Sequence, residues 1–191
     1  MKGARGIKGL LIGLICVALI AGYYFYLSNR RMTASEENVT VTAVQEILLW
    51  DPAKSYPPSP KEVVKLYSQI TQCLYNEEYT DEEFEQLAVK IQLLYDDELI
   101  ANQNPVQYMA NLKAEVKKMK DNDCKISSYA TSASTDVYYF EQDGFKWARL
   151  YCAYSIREKT VIVPTSERFL LRTDSNGHWK IYGWELVTQE E

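Results

Sequence analysis

The spacing of hydrophobic residues changes from a helical to a strand period after Asp121–Asp123. Before this point, apolar side chains recur every three or four residues, which is the spacing of one face of an amphipathic helix. After it they alternate with polar side chains, and Tyr, Val, Thr, Ile and Phe dominate, as is typical of strands. Helices followed by strands predict an α+β domain, with about three helices and an antiparallel sheet of about four or five strands.

The predicted helices begin at capping residues. Ser59, Thr80 and Asn104 each precede a run with helical spacing, and a proline follows Ser59 and Asn104. Their apolar faces comprise Val63, Leu66, Tyr67, Ile70, Cys73 and Leu74; Phe84, Leu87, Ala88, Ile91, Leu94 and Tyr95; and Tyr108, Met109, Leu112, Val116 and Met119. The pattern of Val44–Trp50 allows either a further short helix or a strand.

Five later segments alternate apolar and polar residues. They are Lys125–Ser132, Asp136–Gln142, Phe145–Arg157, Val161–Thr173 and His178–Val187. Two turn signals separate strands in this series, Asp143-Gly144 and Ser175-Asn176-Gly177. Asn, Asp and Gly accept the positive φ angles of tight turns, so we expect these strands to form antiparallel hairpins.

An uncharged, apolar segment precedes the predicted domain. Residues 9–29 carry no charge, and roughly 20 apolar residues in a helix cross the hydrocarbon core of a bilayer. The flanking basic residues are Lys2, Arg5 and Lys8 before the segment and Arg30 and Arg31 after it. Because more positive charge precedes the segment than follows it, we expect a cytoplasmic N-terminus and an extracytoplasmic C-terminal domain.

This pattern predicts a single-pass cell-membrane protein. Its parts are a cytoplasmic N-terminus over residues 1–8, a transmembrane signal-anchor helix over 9–28, a polar tether over 29–42 and one domain over 43–191. A cleaved signal peptide is the alternative, but the best small-residue cleavage sequence, Leu19-Ile20-Ala21, fits that pattern poorly. Both interpretations place the domain outside the cytoplasm.

The charge of the chain argues against two classes of partner, and its cysteines indicate free thiols more than a disulfide framework. The chain of 191 residues has a net charge of −5, and none of its 26 acidic residues precedes Glu36. An acidic domain argues against nucleic acid and against docking on anionic lipid, since both require positive surface. Cys73, Cys124 and Cys152 are an odd number of thiols without metal-like spacing. We expect buried free cysteines, with one disulfide as the alternative.

Two segments resemble a known superfamily. Gly177–Trp184, with the sequence Gly-His-Trp-Lys-Ile-Tyr-Gly-Trp, and Pro60–Tyr67 resemble the last strand and the first helix of nuclear-transport-factor-2-like proteins. That superfamily includes ketosteroid isomerase and polyketide cyclases, and the resemblance implies a cystatin-like cone, in which the helices pack on a curved antiparallel sheet. The whole chain resembles an uncharacterised family of single-pass bacterial membrane proteins, on Tyr56–Tyr67, Tyr75–Thr80 and Phe169–Arg172.

Few residues are candidates for chemistry. Tyr67, Tyr154 and Trp184 are candidates to line the cavity of the cone that the resemblance implies, and core packing is their alternative role. His178 is the only histidine, which excludes a two-histidine metal site and disfavours a His-dependent triad. The acidic run Asp96–Glu98 is expected to be solvated. We therefore predict no catalytic residue, no metal and no cofactor, and an enzyme is the less favoured class.

Three functions fit these observations. The first is a non-catalytic protein-interaction or scaffold module of the cell envelope. The second is a binder of a small apolar ligand in the cone cavity, and the third is an isomerase or cyclase, which requires a buried carboxylate with a raised pKa. The expected partners are the membrane, through the N-terminal helix, and an unidentified protein, and a homo-oligomer is also allowed. Fold alone does not choose among these functions.

Overall fold

The computed structural model describes residues 41–187, which form five α-helices followed by five strands. The helices are α1 (Ala43–Leu49), α2 (Pro60–Asn76), α3 (Asp81–Gln92), α4 (Asp97–Ala101) and α5 (Pro105–Asp121). The strands are β1 (Cys124–Thr131), β2 (Tyr138–Gln142), β3 (Phe145–Glu158), β4 (Val161–Thr173) and β5 (Trp179–Leu186). A single 3-10 turn, Ser134–Asp136, lies between β1 and β2.

The longer helices begin at the capping residues that the sequence indicates. The side chains of Ser59, Thr80 and Asn104 each accept a hydrogen bond from the backbone N–H three residues further on, at the starts of α2, α3 and α5. Thr42 does the same for α1, and its own backbone N–H donates to the Gln45 side chain. The segment Val44–Trp50, whose pattern allows either a helix or a strand, therefore forms a helix.

Strand β3 is the centre of one antiparallel sheet. It pairs with β4 from Trp147↔Arg172 to Glu158↔Val161, and β5 pairs with the other side of β4. β1 pairs with the second half of β3, and β2 pairs with its first half. The turn between β2 and β3 has positive φ at Asp143 and Gly144, 53° and 79°, as a tight hairpin requires.

The inner face of the sheet packs against α2. Residues of β3 and β4 that share this face form cross-strand pairs, Ala148↔Leu171 and Leu150↔Phe169, and all four side chains are fully buried. Helix α2 covers them with its own fully buried residues, Val63, Val64, Ile70 and Leu74. Alternate residues of the strands and the apolar face of the helix thus pack together in one core.

A buried ion pair joins the helices to the sheet. The Asp96 side chain is 3% exposed and accepts from the backbone N–H of Glu98 at the start of α4. Its two carboxylate oxygens accept from the Arg172 guanidinium at 2.7 and 2.8 Å. The expectation that Asp96–Glu98 is a solvated run is therefore wrong for Asp96, because Arg172 supplies the opposite charge that a buried carboxylate needs.

The predicted fold class requires a correction in its helices. We expected a transmembrane helix and then about three helices, whereas residues 41–187 form five. The two that the count missed, α1 and α4, have 7 and 5 residues, too few for a clear amphipathic period. None of the five is long and apolar enough to cross a membrane. The segments predicted over 1–8 and 9–28, and most of the tether over 29–42, lie outside the described residues.

The same substitution, leucine to alanine, should lower the free energy of unfolding far more at a buried position than at an exposed one. Leu150→Ala removes a fully buried side chain and should lower the free energy of unfolding by about 2–5 kcal/mol. Leu49→Ala removes a side chain that is 75% exposed and should cost less than about 0.5 kcal/mol. Chemical denaturation of the full-length chain measures both values. Equal losses would contradict this description of the core.

Candidate functional site

A cavity of about 910 Å³ lies between the helices and the inner face of the sheet, and it opens to solvent. Its walls come mainly from α2, α5 and strands β3, β4 and β5. Six aromatic side chains line it, Tyr67, Tyr75, Tyr95, Tyr108, Tyr154 and Trp184. The charged lining residues are Glu115, Glu167 and Glu185, and none of the described lining residues is a lysine or an arginine.

The strand register explains where the core ends and the cavity begins. Next to the buried pair Leu150↔Phe169, the following inward pairs are Cys152↔Glu167 and Tyr154↔Thr165. These pairs carry polar atoms, and three of their four side chains line the cavity. The inner face of the sheet therefore changes from hydrocarbon to polar groups along one pair of strands.

Helix α5 forms the opposite wall. Val116 is its single buried residue, and three of the other predicted apolar positions, Tyr108, Leu112 and Met119, are partly exposed and line the cavity. The helix thus turns its apolar side chains towards the sheet without filling the space in between. A helical apolar face predicts burial in a core, whereas here much of that face forms a pocket wall.

The three residues predicted to line a pocket all lie in this cavity. Tyr67 is on α2, Tyr154 on β3 and Trp184 on β5. The Tyr67 and Trp184 ring centroids are 5.5 Å apart, and Tyr95 lies 5.5 Å from Trp184. These separations are typical of packed aromatic pairs, so the wall is held in place by its own side chains. A role of the three residues in ligand binding stays a prediction.

A buried hydrogen-bond chain fixes the position of Tyr154. Ser68 is fully buried on α2 and donates to the Val64 carbonyl at 2.8 Å. A serine hydroxyl has a single proton, so Ser68 accepts from the Tyr154 hydroxyl, which lies at 2.8 Å. Cys152 is also buried, with its Sγ 3.5 Å from the same oxygen. In the described part of the chain Cys73, Cys124 and Cys152 are free and buried.

Glu167 is the acidic residue with which β4 lines the cavity. Burial raises the pKa of its carboxyl from 4.5 to about 7, because the charged form loses water. The nearby Glu115 carboxylate raises this pKa further. Sequence reasoning did not select Glu167, although one acidic residue at an inward position between Thr165 and Phe169 departs from the strand pattern.

Glu115 lies nearer the solvent than Glu167. It lines the cavity from α5 but is exposed, which places it at the opening. Its carboxylate accepts a hydrogen bond from the Tyr75 hydroxyl at 2.6 Å. Burial and this bond raise the pKa of Tyr75, which therefore donates to Glu115 as a neutral phenol.

Two polar atoms in the lining lack hydrogen-bond partners within residues 41–187. They are Gln103 Oε1 and the Tyr108 hydroxyl, and both are buried. An unsatisfied buried polar atom costs about 1–3 kcal/mol, so each one needs a reason. Both residues belong to the cavity wall, which makes these atoms available to polar groups that enter the cavity.

The fold and the cavity together define an α+β protein with a preformed aromatic pocket on the inner face of its sheet. A family described as Domain of unknown function (DUF6715) matches residues 1–184, so the chain belongs to this family. No curated protein matches the chain.

The raised pKa of Glu167 makes stability depend on pH. The folded chain holds the Glu167 proton more tightly than the unfolded chain, so this group lowers stability as the pH rises from about 4.5 to about 7. Glu167→Gln removes the cost of burying a charge. We expect the stability of this variant relative to the parent to rise by about 3 kcal/mol between pH 4.5 and pH 8.

Denaturation of the full-length chain at several pH values measures this difference. Glu141→Gln on β2 removes one exposed carboxylate and is the matched control. If the stability difference between Glu167→Gln and the parent did not change with pH, the carboxyl would not be buried as described.

Proposed function

We propose that this domain binds a small, largely apolar ligand in the cavity between α2, α5 and the sheet. The observation that carries the proposal is a volume of about 910 Å³ that the lining side chains leave open. Ligand pockets in proteins typically measure about 300–1,000 Å³ and have aromatic and apolar walls with few polar groups. The cavity has this size, and 13 of its 22 lining residues are aromatic or apolar, while the other nine carry polar or acidic side chains.

The rigidity of the wall supports the same function. Tyr67, Tyr95 and Trp184 pack on one another, and Tyr67 also contacts the buried Phe169 ring at 5.4 Å. Tyr154 is held by the buried Ser68. A wall whose side chains are already fixed loses little conformational entropy when a ligand binds, and this favours affinity.

A protein-interaction module is the second candidate. Strand β4 begins with three exposed apolar residues, Val161, Ile162 and Val163, and Leu186 at the end of β5 is 65% exposed. Exposed apolar side chains in neighbouring strands favour contact with another protein. The predicted membrane attachment would hold such a module at the cell envelope, and it stays a prediction because residues 1–40 lie outside the described part.

An isomerase or cyclase has weaker support. Glu167 meets the requirement for a part-buried carboxyl with a raised pKa. Such enzymes also need hydrogen-bond donors for the oxyanion that forms. The Tyr154 hydroxyl donates to Ser68, and Tyr75 donates to Glu115. These two donors of the wall are therefore already engaged within the protein, which leaves the Tyr108 hydroxyl as the unpartnered phenol of the described lining.

A neutral fluorescent probe tests the ligand-binding function. N-phenyl-1-naphthylamine is apolar and small enough for the cavity, and its emission rises in apolar surroundings. We expect saturable binding to the full-length chain. Thr165→Trp on β4 places a large side chain into the cavity and should weaken this binding at least tenfold.

Ser166→Trp is the matched control for this substitution. Ser166 is the next residue on the same strand, so its side chain points to the opposite face of the sheet. It should leave probe binding unchanged. Equal binding by both variants, or no saturable binding by the parent chain, would contradict the proposed function. Thermal unfolding of each variant separates blocked binding from lost folding.

A further inference from the structure

The geometry points to an organic cation as the ligand: a protonated amine that carries an apolar, preferably aromatic, group. This inference rests on the proposed ligand-binding function and adds the chemical class of the ligand. Three independent features of the wall carry it, namely its charges, its aromatic rings and its unpartnered acceptor atoms.

The charge of the cavity has one sign. Glu167 lies in the interior of the wall and Glu115 at the opening, and no described lining residue is basic. Glu185 is engaged by Arg168, whose Nε donates to it at 2.7 Å, so its charge is matched within the protein. Among the described residues, no lysine or arginine forms an ion pair with Glu115 or Glu167. A buried cation requires an opposite charge, and these two carboxylates supply it while repelling anions.

The aromatic rings of the cavity are also without a cation. Elsewhere in residues 41–187 the chain places its own cations over aromatic rings: Lys120 Nζ lies 4.2 Å from the Tyr79 centroid, and the Arg172 guanidinium lies 4.7 Å from that of Phe145. None of the six cavity rings has a Lys or Arg over it among the described residues. The negative face of an aromatic ring attracts a cation, and the attraction is stronger where water is excluded.

The unpartnered atoms select a ligand that donates hydrogen bonds. Gln103 Oε1 is an acceptor only, and the Tyr108 hydroxyl both donates and accepts. The Glu115 and Glu167 carboxylates are acceptors when ionised. A protonated amine presents N–H donors to these acceptors, which a neutral hydrocarbon does not. The wall therefore fits an ammonium group together with an apolar body.

A matched set of three probes tests the inference on the full-length chain. 3-Phenylpropylamine, 3-phenylpropan-1-ol and 3-phenylpropanoate share one body and differ in the charge of the end group. We expect the amine to bind at least tenfold more tightly than the alcohol, and the carboxylate to bind most weakly. Titration calorimetry at pH 8 in one buffer measures the three affinities.

Two variants test whether the cavity carboxylates cause the preference for the amine over the alcohol. Glu167→Gln and Glu115→Gln should each weaken amine binding at least fivefold and leave alcohol binding unchanged. Glu141→Gln removes an exposed carboxylate on β2 and controls for the change in net charge. If Glu141→Gln weakened amine binding as much as the cavity variants do, general electrostatic attraction would explain the preference and the inference would be wrong.

The outcomes separate this inference from the proposed function. If the alcohol bound as tightly as the amine, the cation preference would be refuted and the cavity would remain a ligand site. If none of the three probes bound while N-phenyl-1-naphthylamine did, the inference alone would again fail. If no probe bound, including the naphthylamine, both would fail.

Discussion

The register between β3 and β4 determines which side chains form the hydrophobic core and which line the cavity. Side chains alternate between the two faces of a sheet, so a shift of one residue would exchange the entire inner face. In the observed register Leu150 lies opposite Phe169 beneath α2, and Cys152 lies opposite Glu167 beside the cavity. One pairing thus places a hydrophobic core and a polar pocket next to each other on the same strands. Glu167 faces inwards because its neighbours on that face, Phe169 and Leu171, must be buried.

This arrangement links stability to binding. Within residues 41–187 no cation pairs with the part-buried Glu167 carboxylate, so the free energy of unfolding falls as the pH rises from about 4.5 to about 7. Asp96 shows the alternative, because Arg172 pairs with it and makes its burial acceptable. The contrast between the two carboxylates is the physical basis of the proposed ligand class. A bound organic cation would do for Glu167 what Arg172 does for Asp96.

The sequence predicts much of this fold and little of the site. Capping residues and period locate α2, α3, α5 and all five strands, because these elements are long and their signals are local. The short α4 depends on the distant pairing of Asp96 with Arg172, which no local pattern reveals. Their aromatic side chains make Tyr67, Tyr154 and Trp184 candidates for a pocket wall. The sequence does not reveal the cavity itself, because the apolar spacing of α5 is the same whether the helix packs in a core or borders a cavity. The environment of Glu167 follows from strand register and from the position of α5, and both are tertiary properties.

Nuclear Overhauser contacts between a bound amine and the tryptophans show directly whether the amine lies in this cavity. The chain has four tryptophans, and among the described lining residues only Trp184 is one of them. With 3-phenylpropylamine and tryptophan-labelled full-length chain, we expect contacts from the ligand protons to the Trp184 ring and none to Trp50, Trp147 or Trp179. Contacts to any of those three without contacts to Trp184 would contradict this placement.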